Sequence, residues 1–349
     1  MGTTYPVIEG AYVRDLLEQA DSLRRTLATP LPAELSDVAK RLRAAQPPSV
    51  ILTGMGSSHH ALHPLAIRLA ESGVCPVMLE TSELNYYWKG LLGPNTVVIA
   101  VSQSGRSAEI LRLLEIDAGR STLIAVTNDL DSPLAQAANG VVRVDAGVES
   151  SVSCKTYVSS LLALSRIGDV LCPQGSSASD AQAEEAIADA VDRYMANWRE
   201  HVDAALACLK GVRHLVLAGR GHSLATTGTG GLIIKEATRL PAEGMSAAAF
   251  RHGPVEMLTD ELFLLVFQGG ERTAGLNNRL AAEVLELGGN CQLVSEESKL
   301  PLFRTAATTD SLRPILEILP VQMITLALAA REGREAGAFS HASKITSTE

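Results

Sequence analysis

The stretch AVSQSGRSAEI (100–110) gathers side chains suited to holding an anion. Ser102, Gln103, Ser104 and Ser107 bring three hydroxyls and one amide into six consecutive positions. An apolar run, TVVIAV, leads into them, and a helical pattern, SAEILRLLEI, follows. A hydroxyl donates to a phosphate oxygen, and the N-terminus of a helix favours negative charge, so the stretch reads as a neutral phosphate cradle. The same residues also describe an ordinary Ser/Gly helix cap. Their place at the C-terminal end of an expected parallel strand favours the cradle, because α/β sheets bind ligands there. A second polar stretch, ESSVSCKTY (149–157), offers Ser151, Ser153, Lys155 and Thr156 to close the cradle, with Glu149 lining the site or capping a turn.

Proton chemistry is suggested by FRHGPVEML (250–258), where His252 stands directly before Gly253 and Pro254. A rigid turn is one way to aim an imidazole, whose pKa near neutrality suits proton transfer. A loop or helix-cap histidine is the plain alternative. His59, His60 and His63 fall at i, i+1 and i+4 without a neighbouring Asp, Glu or Cys, so no metal site is expected. No cofactor is expected either. The Gly-x-Gly turns lack the third glycine of a dinucleotide fingerprint, having His59 and Leu224 there, although the acidic Glu80 follows the second strand; a P-loop motif is absent.

The elements that must position these residues are written twice. VILTGMGSSHHA (50–61) and LVLAGRGHSLAT (215–226) share an apolar run, then Gly-x-Gly, then a small polar residue opening a helical pattern. Gly54, Gly56 and Ser58 match Gly219, Gly221 and Ser223 at an offset of 165 residues; either serine can also be a simple helix cap. PVMLE, TVVIAVS, TLIAVT and GVVRVDA read as buried strands in the first half, and LFLLVFQ and CQLVS in the second, with helical segments between them. Alternating β and α with short turns predicts parallel sheets flanked by helices. The expected segments are a helical lead-in at 1–34, α/β domains at 35–175 and 211–335, a connecting helix at 176–210 and a tail at 336–349.

Composition fits this plan. The chain has 349 residues, 46% hydrophobic and 20% charged, enough for a large core and two domains. A net charge of −9 without a basic run argues against nucleic-acid partners and anionic membrane surfaces. The five cysteines lie far apart and form no CxxC pair, as expected of reduced thiols in a cytoplasmic protein. The N-terminus does not read as a signal peptide. The apolar stretch ILEILPVQMITLALAA contains Glu317, Pro320 and Gln322 and reads as a buried helix, not a membrane span.

Six stretches in order, TGMGSSHHA, SQSGRSAEI, SVSCKTY, GRGHSLA, KEATRLPAEGMSAAAFRHGP and ASKITSTE, resemble the SIS (sugar isomerase) phosphosugar-binding family. The likeness covers roughly 40–349 and is nearest to the isomerase half of glucosamine-6-phosphate synthase and to stand-alone SIS-type deaminases. It implies a duplicated, flavodoxin-like parallel-sheet sandwich, a small-molecule sugar phosphate as ligand, and a homodimer with a shared active site. It also assigns residues. Ser102, Gln103, Ser104 and Ser107 would hold the phosphate, with Ser58 and Ser153 nearby. Glu236 would move a proton between C1 and C2, His252 of the partner subunit would open the sugar ring, and Lys344 would meet the open-chain carbonyl.

The chain departs from the synthase pattern. A glutamate and a lysine seven and three residues before the catalytic glutamate are replaced by Thr229 and Ile233. The SVSCKTY loop is one residue shorter than usual. The chain starts Met1-Gly2, without the glutaminase half and its nucleophilic cysteine, and is therefore not expected to draw ammonia from glutamine by itself. The tail is closer to the deaminases. The expectation is an amino-sugar phosphate isomerase/deaminase acting on glucosamine-6-phosphate. A fructosamine-6-phosphate deglycase or a transaminase-like isomerase is the near alternative, and a non-catalytic sugar-phosphate sensor the alternative of another class.

Overall fold

The structure, a computed structural model, describes residues 5–173, 178–341, 343–346 and 348. The remaining positions of the expected lead-in, connecting helix and tail lie outside the described residues. The chain divides into two compact units. One holds residues 21–149, 155–185 and 342–349; the other holds 1–20, 150–154 and 186–341.

The first unit is built on a parallel sheet of five strands: β1 (Ser49–Gly54), β2 (Pro76–Glu80), β3 (Thr96–Val101), β4 (Thr122–Thr127) and β5 (Gly140–Arg143). Their order, β2-β1-β3-β4-β5, is flavodoxin-like. β3 is buried along its whole length, which is why its sequence is an unbroken apolar run. The sheet reverses direction of growth between β1 and β3, and Gly54 pairs in register with Val101. The turn after β1 and the hydroxyl-rich loop after β3 therefore leave the sheet side by side, at its C-terminal edge.

The second unit repeats the plan with β6 (His214–Gly219), β7 (Ala242–Ser246), β8 (Leu262–Phe267) and β9 (Asn290–Val294), in the order β7-β6-β8-β9, all parallel. Gly56 and Gly221 take nearly the same left-handed φ, 52° and 58°, as the sequence repeat implies. β7 was not legible in the sequence. Its residues AEGMS have no apolar run, because the strand lies at the sheet edge with Glu243 and Gly244 exposed.

The apolar C-terminal stretch forms the helix Arg313–Arg331, long and apolar enough to cross a membrane, yet 94% buried within the protein. Its polar residues are all bonded inside the second unit. Gln322 exchanges hydrogen bonds with Gln19 at 3.0 and 2.8 Å, and the Thr325 hydroxyl donates to the Gln322 carbonyl oxygen at 2.6 Å. Buried polar groups need such partners.

Candidate active site

In the first unit, the hydroxyl-rich loop begins where β3 ends. The Gly105 N–H donates to Ser102 Oγ at 3.1 Å, and the Arg106 N–H to Ser104 Oγ at 3.2 Å. A hydroxyl that accepts from the backbone keeps its own proton to donate elsewhere. Ser102 and Ser104 are thus oriented as donors. Gly105 makes this turn possible: its φ is +59°, and a Cβ there would lie 2.3 Å from Ser132 Oγ. Ser107 is the N-cap of the helix Ala108–Asp117, and its side chain makes no capping bond, so the helix start is left to another acceptor. Gln103 and Ser107 are half-buried at the rim.

Across the edge, Ser58 is half-buried in the short helix Gly56–His60. Its neighbour Ser57, which sequence reasoning passed over, is buried, and its hydroxyl has no hydrogen-bond partner among the described residues. The repeat drew attention to Ser58 because Ser223 matches it; Ser57 faces no such match, since His222 stands in the second copy.

The tail joins the same unit. The Lys344 ammonium pairs with Glu149 Oε2 at 2.6 Å. Glu149 also accepts from the Thr156 N–H and hydroxyl at 3.0 and 2.6 Å. Burial alone would push the Glu149 carboxyl up, but the Lys344 charge and the Lys344 and Thr156 hydrogen bonds outweigh it and hold the carboxyl below its ordinary value. The Thr346 carbonyl accepts from the Ala108 N–H at 3.1 Å, so the tail also reaches the helix start after the hydroxyl-rich loop. The expectation that Ser151 and Thr156 close the cradle meets a competing use of their hydroxyls: Thr156 donates to Glu149, and Ser151 donates to the Gly337 carbonyl at 2.8 Å. Lys155 is buried, with 1% of its surface exposed.

His59 and His63 are both shifted toward the neutral form. Burial lowers His59 against the opposing pull of Glu80, and burial plus His59 lowers His63 to about 4. Their rings and that of His60 are 5.7 to 6.5 Å apart. Among the described residues, no group of three or more His, Cys, Asp or Glu side chains is arranged to hold a metal ion.

Glu236, His252 and Ser153 belong to the second unit. Glu236 is half-buried near the end of the helix Leu224–Thr238. On that helix Thr229 and Ile233 are fully buried, so these positions offer the core a hydroxyl and a hydrocarbon. His252 is exposed and follows the helix Ala247–Arg251. Gly253 then takes φ 136° before Pro254 opens a tight 3-10 turn, a reversal that leaves His252 at a corner. The preceding Arg251 is anchored by an ion pair with Glu283. Ser153 is half-buried in the 150–154 segment.

The second Gly-x-Gly turn is built differently from the first. Ser223 is fully buried and donates to Glu317 Oε1 at 2.8 Å, with Thr226 donating to Oε2 at 3.3 Å. Burial, only partly offset by these hydrogen bonds and by Arg313, raises the Glu317 carboxyl to about 7.

Comparison with known proteins matches this architecture. The SIS domain model aligns with residues 44–167 and again with 209–331. The chain is 28% identical over 332 residues to a protein of Pyrobaculum aerophilum named glutamine–fructose-6-phosphate aminotransferase (isomerizing), covering 92% of this chain and 54% of that protein. It is 27% identical to Homo sapiens glutamine–fructose-6-phosphate aminotransferase (isomerizing) 2, covering 92% and 50%. The chain thus spans about half the length of the curated relatives it matches. Among solved structures, the C-terminal domain of the Francisella tularensis glucosamine-fructose-6-phosphate aminotransferase superposes with a TM-score of 0.82 at 19% identity, covering 95% of this chain and 98% of that one. The Thermotoga maritima glucosamine-6-phosphate deaminase gives 0.76 at 17%, covering 97% and 100%.

Proposed function

The chain belongs to the SIS domain family, and on that premise we propose that it is an amino-sugar phosphate isomerase that releases ammonia, turning glucosamine-6-phosphate into fructose-6-phosphate. The observation that carries this reading is the phosphate loop, whose Ser102 and Ser104 hydroxyls accept from their own backbone and are left to donate outward at the C-terminal edge of the sheet. Ser58, Ser102, Gln103, Ser104, Ser107 and Ser153 hold the phosphate. His252 opens the ring, and the proposed active form is a homodimer in the cytoplasm in which the partner subunit's His252 serves the site. Glu236 takes the proton from C2, giving an enolamine, exchanges it with solvent while it sits on the carboxylate, and delivers a proton to C1, giving a C2 imine. Water adds to the imine, and the C–N bond breaks to leave the ketose phosphate and ammonia. A positioned carboxylate of this kind contributes about 10²–10⁴-fold. Lys344, delivered by the tail, meets the open-chain carbonyl. The burial of Ile233, where the synthase pattern has a lysine, supports deamination over the synthase reaction.

The test is to incubate the protein with glucosamine-6-phosphate and measure ammonia and fructose-6-phosphate, beside the Glu236→Gln variant. Stoichiometric release of both products, lost in the variant, supports the reading. Thermal stabilisation by the sugar phosphate without turnover refutes it and leaves a sensor or an enzyme for a different substituted sugar phosphate.

A further inference from the structure

The end of β4, the loop after it and the helix Pro133–Ala137 hold the phosphate loop at alternate residues. The Gln103 carbonyl accepts from the Asn128 N–H at 3.1 Å and from Thr127 Oγ1 at 3.3 Å, and the Gly105 carbonyl accepts from the Leu134 N–H at 3.3 Å. Arg106 adds the side-chain contacts. Its Nε donates to Asp129 Oδ2 at 2.9 Å and its Nη2 to the Asp131 carbonyl at 2.8 Å. The other Asp129 oxygen accepts from the Asp131 N–H at 2.9 Å, so one carboxylate fixes both its own turn and the guanidinium. The Arg106 backbone N–H, in turn, is the group that holds Ser104 Oγ.

We infer that Asp129 and Arg106 are positioning residues for the phosphate cradle: the carboxylate fixes the guanidinium, and the guanidinium fixes the segment whose N–H groups orient Ser102 and Ser104. The inference rests on the sugar-phosphate reading of this loop. Two divergent bonds from one side chain require the planar fork of arginine, which a lysine lacks. The pair is 43% and 34% exposed, so it adds little to stability, and its variants are expected to fold.

A direct charge role for Arg106 makes the opposite prediction. Asp129→Asn keeps the shape and removes the counter-charge. If Arg106 acted on the phosphate through its charge, freeing that charge would tighten binding. Positioning predicts weaker binding instead.

The experiment is calorimetric titration of glucosamine-6-phosphate into wild type, Arg106→Lys, Asp129→Asn and the double variant, with Tm recorded for each. The expected result is a Kd raised about fivefold to tenfold in each single variant, at unchanged Tm, a loss on the scale of one hydrogen bond. The double variant should be no weaker than the singles, because both act through one chain of contacts. Unchanged or tighter binding by Asp129→Asn, or losses that add in the double variant, would overturn the inference alone. A wild type that does not bind the sugar phosphate would overturn the sugar-phosphate reading and this inference with it.

Discussion

Replacing Glu317 by Gln separates the two Gly-x-Gly turns by their energetics. Glu317 is 2% exposed and its carboxyl is raised from 4.5 to about 7, chiefly by burial. A carboxyl raised in the folded state binds its proton more tightly there than in the unfolded chain. Stability therefore carries no penalty from this group below pH 4.5, falls as pH rises from 4.5 to 7, and bears the full cost above 7. The full cost is about 3 kcal/mol, from a displacement near 2.5 at 1.36 kcal/mol each. Gln keeps the shape: its amide oxygen accepts from Ser223, its amide NH2 donates to Thr226 Oγ1, whose own proton turns to the Pro314 carbonyl, and it has no proton to lose. The stability of Glu317→Gln relative to wild type should thus rise by about 2.5 kcal/mol between pH 5 and pH 8. Trp198, buried in the second unit, can report its unfolding in urea in a Trp88→Phe background, Trp88 being half exposed in the first unit. A difference between the two proteins that stays flat with pH would refute the reasoning and mean that Glu317 is ionised in the folded state.

Other outcomes follow from the same contacts. Ser104→Ala should weaken glucosamine-6-phosphate binding about tenfold by calorimetry, whereas Ser223→Ala should leave it unchanged, because that hydroxyl is already spent on Glu317. Gly105→Ala should cost about 1–3 kcal/mol in urea denaturation and abolish sugar-phosphate binding, since its positive φ and its contact with Ser132 both exclude a side chain. Lys344→Met should remove one charge-assisted hydrogen bond from the buried Glu149 carboxylate, destabilise the first unit by roughly 1.5–3 kcal/mol at pH 7, and do less harm as falling pH protonates Glu149.

Much of the fold was legible because its signals are local. β1, β3, β4, β6 and β8 are continuous apolar runs, as strands covered on both faces must be, and the repeated Gly-x-Gly turn exposed the duplication. β7 escaped because an edge strand needs fewer apolar residues, so AEGMS carries little trace of its pairing. In the site, hydroxyl content and spacing pointed to the loop at 102–107, but not to how its serines are used. The Arg106 side chain bonds Asp129 and Asp131, in a loop more than twenty residues onward. The same limit separates Ser58 from Ser223. The two matched residues look alike in sequence, and only the helix Arg313–Arg331, far along the chain, reveals that one of them serves a buried carboxyl. Ser151 and Thr156 read as free hydroxyls for the same reason, their partners Gly337 and Glu149 being invisible to spacing.

The central claim, that Glu236 moves a proton between C1 and C2 of an amino-sugar phosphate, is tested most directly by deuterium exchange. Glucosamine-6-phosphate and fructose-6-phosphate are each incubated with the protein in D2O, and solvent deuterium at C1 and C2 is followed by NMR. The account predicts incorporation by the wild type and none by Glu236→Gln, whose sugar-phosphate affinity is retained. Tight binding without any exchange by the wild type, or exchange that survives in the variant, would contradict it.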